Sequence, residues 1–294
     1  MIMRDNANVL SRCLDSVMGL VNEVVIIDTG SVDNSVNIAL NYGARVYHDP
    51  WQDDFARPRN IGIEKANCKW ILVLDPDEVI LKSDHRGIKE LTREKQYAAF
   101  WLTTRNYSPP TGEMGYRFLP GGADPMGKFP GYTPSTKTRF FKNGLGIKFM
   151  GCWHELVDWY LLENKIPVRQ TDIPVHHWNH EISQKSIKEK SDFYLRMGEK
   201  KVMEWPTHGQ AWWELAVAEM IHGLRARAAH SIAQAFRYGF GTQHQFFSLA
   251  RCLHLQGKST ESRLAFEKGI CTLFSTLTHI DPVKKPIGAA IDKL

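Results

Sequence analysis

Three carboxylates directly follow an apolar segment that has the pattern of a buried strand. Residues 71–74 (ILVL) are followed by Asp75, Asp77 and Glu78. In open parallel sheets, ligands bind outside the carboxyl ends of the strands. The spacing lets Asp75 and Asp77 reach one cation, and Mg²⁺ or Mn²⁺ in such sites is held by one or two carboxylates, with phosphate oxygens and water completing the shell. The pattern predicts a divalent-cation site; an acidic turn that caps the next helix is the alternative.

Two other segments carry groups suited to a nucleotide. Asp28 ends the strand-like run EVVIIDTGS, where a carboxylate can accept hydrogen bonds from a base or ribose, and Gly30 precedes a helix whose free N–H groups can face phosphate. Arg59 lies in DPWQDDFARPRN, and its guanidinium suits bidentate recognition of phosphate or a base. A capped turn without a ligand and an ordinary surface arginine are the alternatives.

The elements that must position these residues alternate between strands and helices. Continuous apolar runs at 23–31, 44–49 and 69–75 predict strands that are covered on both faces. Asp33 is expected to cap a helix that ends at Gly43, and residues 59–66 continue with helical periodicity. Alternating strands and helices indicate βαβ units and a mostly parallel sheet.

Residues 107–134 contain six prolines and six glycines, so no regular element is expected there. Long loops of this kind are usually functional, and the aromatic residues favour an ordered, ligand-covering loop over a flexible insertion. Strand-like segments follow at 138–143 and 146–151, and residues 172–181 (DIPVHHWNHE) are predicted as a strand or loop. Within this last segment His176 and His180 have a spacing that could bind zinc on a helix, a minor alternative.

From Ser183 onward the sequence is helical, and it repeats itself with a period of 34 residues. Trp212, Leu215, Ala216 and Gly223 recur as Phe246, Leu249, Ala250 and Gly257. This period is typical of stacked helical hairpins of the tetratricopeptide type, with an ordinary helical bundle as the alternative. We therefore expect a catalytic domain at 1–181 and a helical domain at 182–294.

Composition narrows the classes of protein to consider. No apolar run approaches the ~20 residues that span a bilayer, and the start lacks the basic-then-apolar order of a signal peptide, so a cytoplasmic protein is expected. The five scattered cysteines indicate neither a disulfide framework nor a zinc ribbon. The net charge of +5 comes from lysines and arginines that are interspersed with acids, which argues against nucleic acid as the main partner.

The segment MIMRDN…VVIIDTGSVDNS…VYHDPWQDDFARPRN…WILVLDPDEV resembles the family 2 glycosyltransferases of the GT-A fold. It is most similar to the bacterial branch in which tetratricopeptide helices follow. The resemblance implies an α/β fold with a Rossmann-like, mostly parallel sheet flanked by helices, followed by an all-α domain. It also implies an inverting transferase that uses a nucleotide-sugar donor, often a UDP-sugar, with a Mn²⁺ or Mg²⁺ ion on the pyrophosphate.

The same resemblance assigns roles by position. Asp75 and Asp77 match the family's D-x-D motif, His154 and Glu155 its HE pair, and His177 its later His-aromatic pair. The residues expected to bind the nucleotide-sugar are Arg4, Asp5, Asp28, Gly30, Ser31, Asp33, Arg59, Asn60 and Asp75. The residues expected to bind the cation are Asp75, Asp77 and His177, with Asp75 acting through water.

Glu155 is the expected catalytic base, and His154 is expected to orient it or to contact the diphosphate. Glu78 and Asp158 are rival bases, and a core role for the HE pair is an alternative. For His177 the alternative is an edge-strand histidine without a ligand. A nucleotidyltransferase is disfavoured because residues 1–10 contain no glycine.

The sequence departs from the family at its start. Asn6 stands where the family usually has Glu, and the usual first strand is reduced to Met1, Ile2 and Met3. Either the start is late or the sheet is weakened; a non-catalytic interaction protein with a degenerate transferase domain is therefore the alternative function.

The expected acceptor is a glycan, a lipid-linked glycan or a peptide. The helical domain is expected to self-associate as a homodimer. Its lysines at 185, 188, 190, 200 and 201 are expected to form a solvated helix face; peripheral contact of these lysines with a membrane is the minority interpretation.

Overall fold

A computed structural model of the chain describes residues 1–110, 115–178 and 187–278. The chain divides into two compact units, Met1–Gln184 and Lys185–Leu294, which are described separately. The predicted boundary between residues 181 and 182 lies outside the described residues. His180, and with it the alternative of a zinc site on His176 and His180, lies outside them too.

The first unit opens with a three-stranded parallel sheet in the order β1-β2-β3. Met3 pairs with Asp28, and Asp28 pairs with His48, so that the carboxyl ends of the strands meet at one edge. Its elements are β1 (Ile2–Met3), α1 (Leu10–Val17), β2 (Val25–Asp28), α2 (Ser35–Asn41), β3 (Arg45–His48) and α3 (Ala56–Lys65). Gly43 has φ +74° after α2, as predicted for the end of this helix. Asp33 accepts a hydrogen bond from the Ser35 backbone N–H at 2.9 Å, but the N-cap position of α2 belongs to Asn34 and not, as predicted, to Asp33.

A second sheet has six strands in the order β4-β8-β6-β9-β5, with β7 paired to β8. Only β6 and β9 run parallel in it, so the parallel arrangement predicted from the sequence holds for the first sheet while the second is mixed. Its elements are β4 (Trp70–Leu72), β5 (Glu78–Val79), α4 (His85–Leu91), β6 (Ala99–Ser108), β7 (Arg117–Phe118), β8 (Gly131–Lys142), α5 (Asp158–Glu163) and β9 (Val168–Trp178). Phe100, Leu102 and Phe140 are buried in the core between this sheet and its helices.

Two local predictions were wrong. Residues 107–134 do contain regular structure, because Tyr107 pairs with Tyr132 at the far end of a long antiparallel β6–β8 pair and β7 adds to it. Residues 146–151 form no strand apart from an isolated bridge between Met150 and Leu156. Gly146 and Gly151 have φ values of +70° and +90°, which are incompatible with an extended strand.

The second unit consists of helices, and its repeat has the predicted period. Gly223 and Gly257, 34 residues apart, both have positive φ and follow the ends of α7 and α9. Leu215, Ala216, Leu249 and Ala250 are all buried. The described helices are α6 (Ile187–Glu204), α7 (Gly209–Ile221), α8 (Arg225–Arg237), α9 (Gln243–His254) and α10 (Ser259–Thr278). Within the described residues, no helix combines the length and the apolar character that a membrane span requires.

The prediction that the helical lysines form a solvated face is wrong for Lys201. This side chain is 1% exposed and its Nζ lies 2.6 Å from Glu214 Oε2, with the indole of Trp205 at 5.8 Å. A lysine can be buried in this way because the carboxylate neutralises its charge and the ring covers its stem.

Candidate active site

Asp75 lies just after β4, in contact with two arginines. Its Oδ1 accepts a hydrogen bond from Arg59 Nη2 at 2.8 Å, and Arg139 Nη1 lies 3.9 Å from Oδ2. Burial alone would raise the pKa of Asp75, but the charges of Arg59 and Arg139 outweigh burial and hold the pKa well below its usual range. Asp75 is therefore a carboxylate with one oxygen already used by Arg59.

A buried ion pair supports the turn that carries these acids. Arg139 donates to both carboxylate oxygens of Glu78, and both side chains are almost completely buried. Glu78 Oε2 also accepts a hydrogen bond from the Asp75 backbone N–H at 2.9 Å, and Arg139 donates to Thr104 Oγ1 at 3.2 Å. Glu78 thus fixes the backbone at Asp75 and, being enclosed, is poorly placed as a catalytic base.

Asp77 faces His177 from the other side of this turn. His177 Nε2 lies 3.1 Å from Asp77 Oδ2, and Nδ1 lies 2.9 Å from Asn106 Oδ1. The antiparallel pairing of β5 with β9, which places Glu78 opposite His177, creates this contact. Burial opposes protonation of the ring, but the hydrogen bond and charge of Asp77 prevail, so the pKa of His177 is raised.

Arg59 connects the acidic turn to the HE pair. Its Nε donates to Glu155 Oε1 while Nη2 binds Asp75, and only 9% of its side chain is exposed. The structure therefore places Arg59 between two carboxylates rather than open to a phosphate or base. His154 is exposed, packs its ring 4.2 Å from that of Trp153, and has φ +48°, a conformation that a residue other than glycine seldom adopts.

The rival base Asp158 is occupied by structural contacts. One carboxylate oxygen accepts hydrogen bonds from Trp101 Nε1 and Thr138 Oγ1, each at 2.7 Å, and the other accepts from the Thr138 backbone. Among Glu78, Asp158 and Glu155, only Glu155 has a carboxylate oxygen without a hydrogen-bond partner in the described part of the chain. The geometry thus favours Glu155 over both rivals.

The residues predicted to bind the nucleoside gather at the edge of the parallel sheet. Asp28 is 3% exposed and accepts hydrogen bonds from the Ser31 hydroxyl and from the backbone of Gly30 and Ser31. His48, which the sequence interpretation missed, lies 3.2 Å from Asp28 through Nδ1 and leaves two-thirds of its side chain exposed. The register Asp28↔His48 accounts for this contact. Asp28 is thereby held in place, and His48 is the exposed side chain beside it.

Hydrogen bonds join the loop after β1 to the loop after β2. Asp5 Oδ1 accepts from the Val32 N–H at 2.8 Å, and the Asp5 N–H donates to Ser31 Oγ at 3.0 Å. Asp33 Oδ2 accepts from the Ala7 N–H at 2.9 Å. Asp5 itself has φ +52°. These contacts bring together the residues predicted from both loops.

Two other predicted residues differ in their surroundings. Arg4 is more than half exposed, with Nε 3.9 Å from Asp5 Oδ2. Asn60 exchanges two hydrogen bonds with the backbone of Phe149, at 2.7 and 3.0 Å, and so serves to anchor that segment. Burial and the charge of Arg139 lower the pKa of Lys137, a residue that the sequence interpretation missed. The charges of Asp75 and Glu78 oppose this lowering, so Lys137 lies near both acids.

The donor groups at this site suit a cation that is shared with a ligand. The described residues contain no cluster of three or more His, Cys, Asp or Glu side chains arranged for a metal ion. Asp77 and His177 provide one carboxylate and one imidazole side by side. Mn²⁺ accepts both ligand types, and Mg²⁺ and Mn²⁺ complete their shells readily with phosphate oxygens and water. The pair fits a cation that arrives with a diphosphate.

A cavity of about 610 Å³ is lined by residues of β2, α3 and β4, including Arg59. Leu20, Ile63, Trp70 and Phe140 line it, whereas Asp75 and Asp77 do not. Polar side chains, among them Glu23 and Lys69, line it as well.

Comparison with known proteins places these features in a family. The glycosyl transferase family 2 model matches residues 1–154. A TPR repeat-containing protein of Synechococcus elongatus is 35% identical over 162 residues, which cover 55% of this chain and 35% of that protein. The SPbeta prophage-derived glycosyltransferase SunS of Bacillus subtilis is 23% identical over 202 residues, which cover 68% of this chain and 43% of SunS. The chain thus spans less than half the length of these two relatives.

Among solved structures, S. aureus TarS 1-349 in complex with UDP-GlcNAc is similar with a TM-score of 0.47 and 12% identity, covering 91% of this chain and 89% of that chain. The family model, in contrast, matches more than half of the present sequence, 154 of 294 residues. The chain therefore belongs to glycosyl transferase family 2.

Proposed function

We propose that this chain is an inverting glycosyltransferase that moves a sugar from a nucleotide-sugar, with a UDP-sugar favoured, to a glycan, a lipid-linked glycan or a peptide. One observation carries the proposal. Asp77 and His177 lie 100 residues apart in sequence, yet their side chains meet at 3.1 Å beside Asp75, whose arginine partner also holds Glu155. A cation-binding pair and a candidate base thus lie in one connected site.

Asp77 and His177 would hold a divalent cation on the donor diphosphate, with Asp75 acting through water. The cation supplies charge stabilisation for the departing nucleoside diphosphate. Arg59 and Arg139 keep Asp75 ionised and fixed. Lys137 of β8 adds a positive charge near the same acids, and we assign it to contact with the donor phosphates.

Glu155 is the proposed base. Arg59 uses only Oε1, which leaves Oε2 to receive the proton of the acceptor hydroxyl or thiol. A positioned general base typically contributes about 10²- to 10⁴-fold to the rate. The exposed His154, next in sequence, lies where the acceptor would approach.

At the other end of the site, Asp28 holds the Ser31 hydroxyl and the exposed His48 at the edge of the parallel sheet. We assign this edge to the base and ribose of the donor. The carboxylate is enclosed, so its role in this proposal includes fixing Ser31 and His48 as well as direct contact.

Thermal unfolding of the full chain with UDP, GDP and Mn²⁺ tests the nucleotide part of the proposal. A ligand at 100 times its dissociation constant adds about 2.7 kcal/mol to the free energy of unfolding. We expect UDP with Mn²⁺ to raise the melting temperature more than UDP alone. Asp77→Asn should remove the Mn²⁺-dependent part, whereas Asp192→Asn, an exposed carboxylate of the helical unit, should leave it intact.

Mass spectrometry of products from a panel of UDP- and GDP-sugars tests the transfer itself. Glu155→Gln keeps the shape of the side chain and should lower kcat by about 10²-fold or more while leaving UDP binding within a few-fold. If no nucleotide stabilises the chain, or if Asp77→Asn leaves the Mn²⁺ effect unchanged, the catalytic proposal is wrong and an interaction protein becomes the better explanation.

A further inference from the structure

A second cavity lies on the face of the mixed sheet that is opposite His177. Successive side chains of a strand point to opposite faces, so His177 of β9 faces Asp77 while His176 faces away from it. The cavity on the His176 side has a volume of about 490 Å³, within the range of small-molecule sites. Its polar lining consists of Ser83, Asp84, Arg105, Tyr107, Asp124, Asp172 and His176.

His176 brings an unsatisfied group to this cavity. The residue is 1% exposed, and its Nδ1 lies 2.8 Å from the hydroxyl of Tyr107. Its Nε2 is buried and has no hydrogen-bond partner in the described part of the chain. A buried polar atom without a partner is unfavourable unless a ligand satisfies it.

The charges around the cavity have both signs and are not paired with each other. Arg105 lies over the ring of Tyr132 at 5.2 Å, and no carboxylate of the described residues is within 4.0 Å of its guanidinium. Asp84 lines the same cavity, and burial raises its pKa in spite of the charge of Arg105. Asp172 is exposed at the rim.

The fourth charged group, Asp124, is already satisfied. Its carboxylate accepts hydrogen bonds from three backbone N–H groups of its own loop, those of residues 126, 128 and 129, and from Trp178 Nε1. Asp124 therefore shapes the wall of the cavity and contributes negative charge without offering a vacant acceptor.

This lining selects the class of ligand. An anion would meet the carboxylates of Asp84, Asp124 and Asp172, whereas a simple cation would offer no acceptor to the guanidinium of Arg105. A neutral molecule whose groups both donate and accept hydrogen bonds can satisfy Arg105, Asp84 and Nε2 of His176 together. The hydroxyl groups of a saccharide have this property, while Leu119, Pro125 and Pro174 offer apolar surface for its C–H groups.

We propose that this cavity binds a neutral saccharide unit, as a second carbohydrate site on the reverse face of β9. The selection of a polyol rests on the lining of the cavity and not on the transferase activity. A glycan held here lies on the opposite face of the sheet from Asp77, so the site binds a saccharide without taking part in the bond-forming step.

Histidine-labelled full-length protein provides the test. We would record the ring ¹H–¹⁵N correlations of ¹⁵N-histidine protein, assign the His176 signal through its loss in His176→Gln, and titrate methyl glycosides of glucose, galactose, mannose and N-acetylglucosamine and their disaccharides. We expect at least one saccharide to shift the His176 signal saturably. Arg105→Met should weaken that binding at least tenfold, whereas the exposed Arg86→Met should not change it.

The variants are first compared by melting temperature, and Asp84→Asn replaces Arg105→Met if the latter does not fold. The inference is overturned if no saccharide shifts the His176 signal, if inorganic phosphate or acetate shifts it instead, or if neither cavity variant weakens binding. Binding of UDP with Mn²⁺ is measured on the same samples. If UDP with Mn²⁺ does not bind, the proposed transferase is contradicted but the saccharide site is not. If no saccharide binds, the saccharide site is contradicted but the transferase is not.

Discussion

Replacing Arg139 by methionine should destabilise the first unit far more than the loss of a surface ion pair. Arg139→Met removes the guanidinium that donates to both oxygens of Glu78 and leaves the Glu78 carboxylate almost completely buried. Breaking a buried pair on one side typically costs about 3–5 kcal/mol, because the remaining charge is uncompensated. Whole domains are stable by only about 5–15 kcal/mol, so this is a large share.

Arg86→Met is the matched control. Arg86 and Glu90 form an ion pair of 2.8 Å on α4, but their side chains are 89% and 54% exposed. An exposed helical pair at this spacing contributes only about 0.3–0.5 kcal/mol. The two variants remove the same type of side chain from pairs that differ in burial.

Native-state hydrogen exchange of the β8 backbone amides measures the effect within the first unit. Since each 1.4 kcal/mol corresponds to a tenfold change, Arg139→Met should raise the exchange rates of the most protected amides by about 10²-fold or more, and Arg86→Met by about twofold. The double variant Arg139→Met, Glu78→Leu should recover most of the protection. Equal, small increases in the two single variants would refute the assignment of Arg139 and Glu78 as a buried pair.

Three further predictions concern the helical unit and the cysteines. Lys201→Met should cost about 3–5 kcal/mol because it leaves Glu214 buried, and adding Glu214→Leu should recover most of this in a double-mutant cycle of urea unfolding. Gly209→Ala should lower the melting temperature, since its Cβ would lie 2.6 to 2.9 Å from Phe240 Cβ and two backbone oxygens, whereas Gly121→Ala, which faces open space, should not. Cys271 is exposed and should react rapidly with a thiol reagent, while the buried Cys13, Cys152 and Cys252 should react only on unfolding; fast labelling of any of these three in the native chain would contradict the packing.

The sequence predicted local features well because their causes are local. Gly43 follows the end of α2, and the period of 34 residues places the glycines that follow α7 and α9. The D-x-D turn and its proximity to His177 followed from a resemblance, since nothing local in the sequence predicts a contact across 100 residues.

What the sequence did not reveal depends on long-range pairing. Arg139 is one arginine among many until β8 pairs with β4 and brings it beside the acidic turn. Lys201 lies in a lysine-rich segment that is typical of a solvated face, and only the packing of α6 on α7 buries it. Arg59 was expected to face a ligand, but carboxylates from two distant segments bind its Nε and Nη2, while its Nη1 is buried without a partner among the described residues.

The 100-residue separation of Asp77 and His177 has a consequence for biosynthesis. A ribosome adds about 5–20 residues per second, so roughly 5–20 s pass between the synthesis of the acidic turn and that of β9. During this interval the nascent polypeptide contains Asp77 without its imidazole neighbour. The contact between the two side chains can form only after β9 has been made.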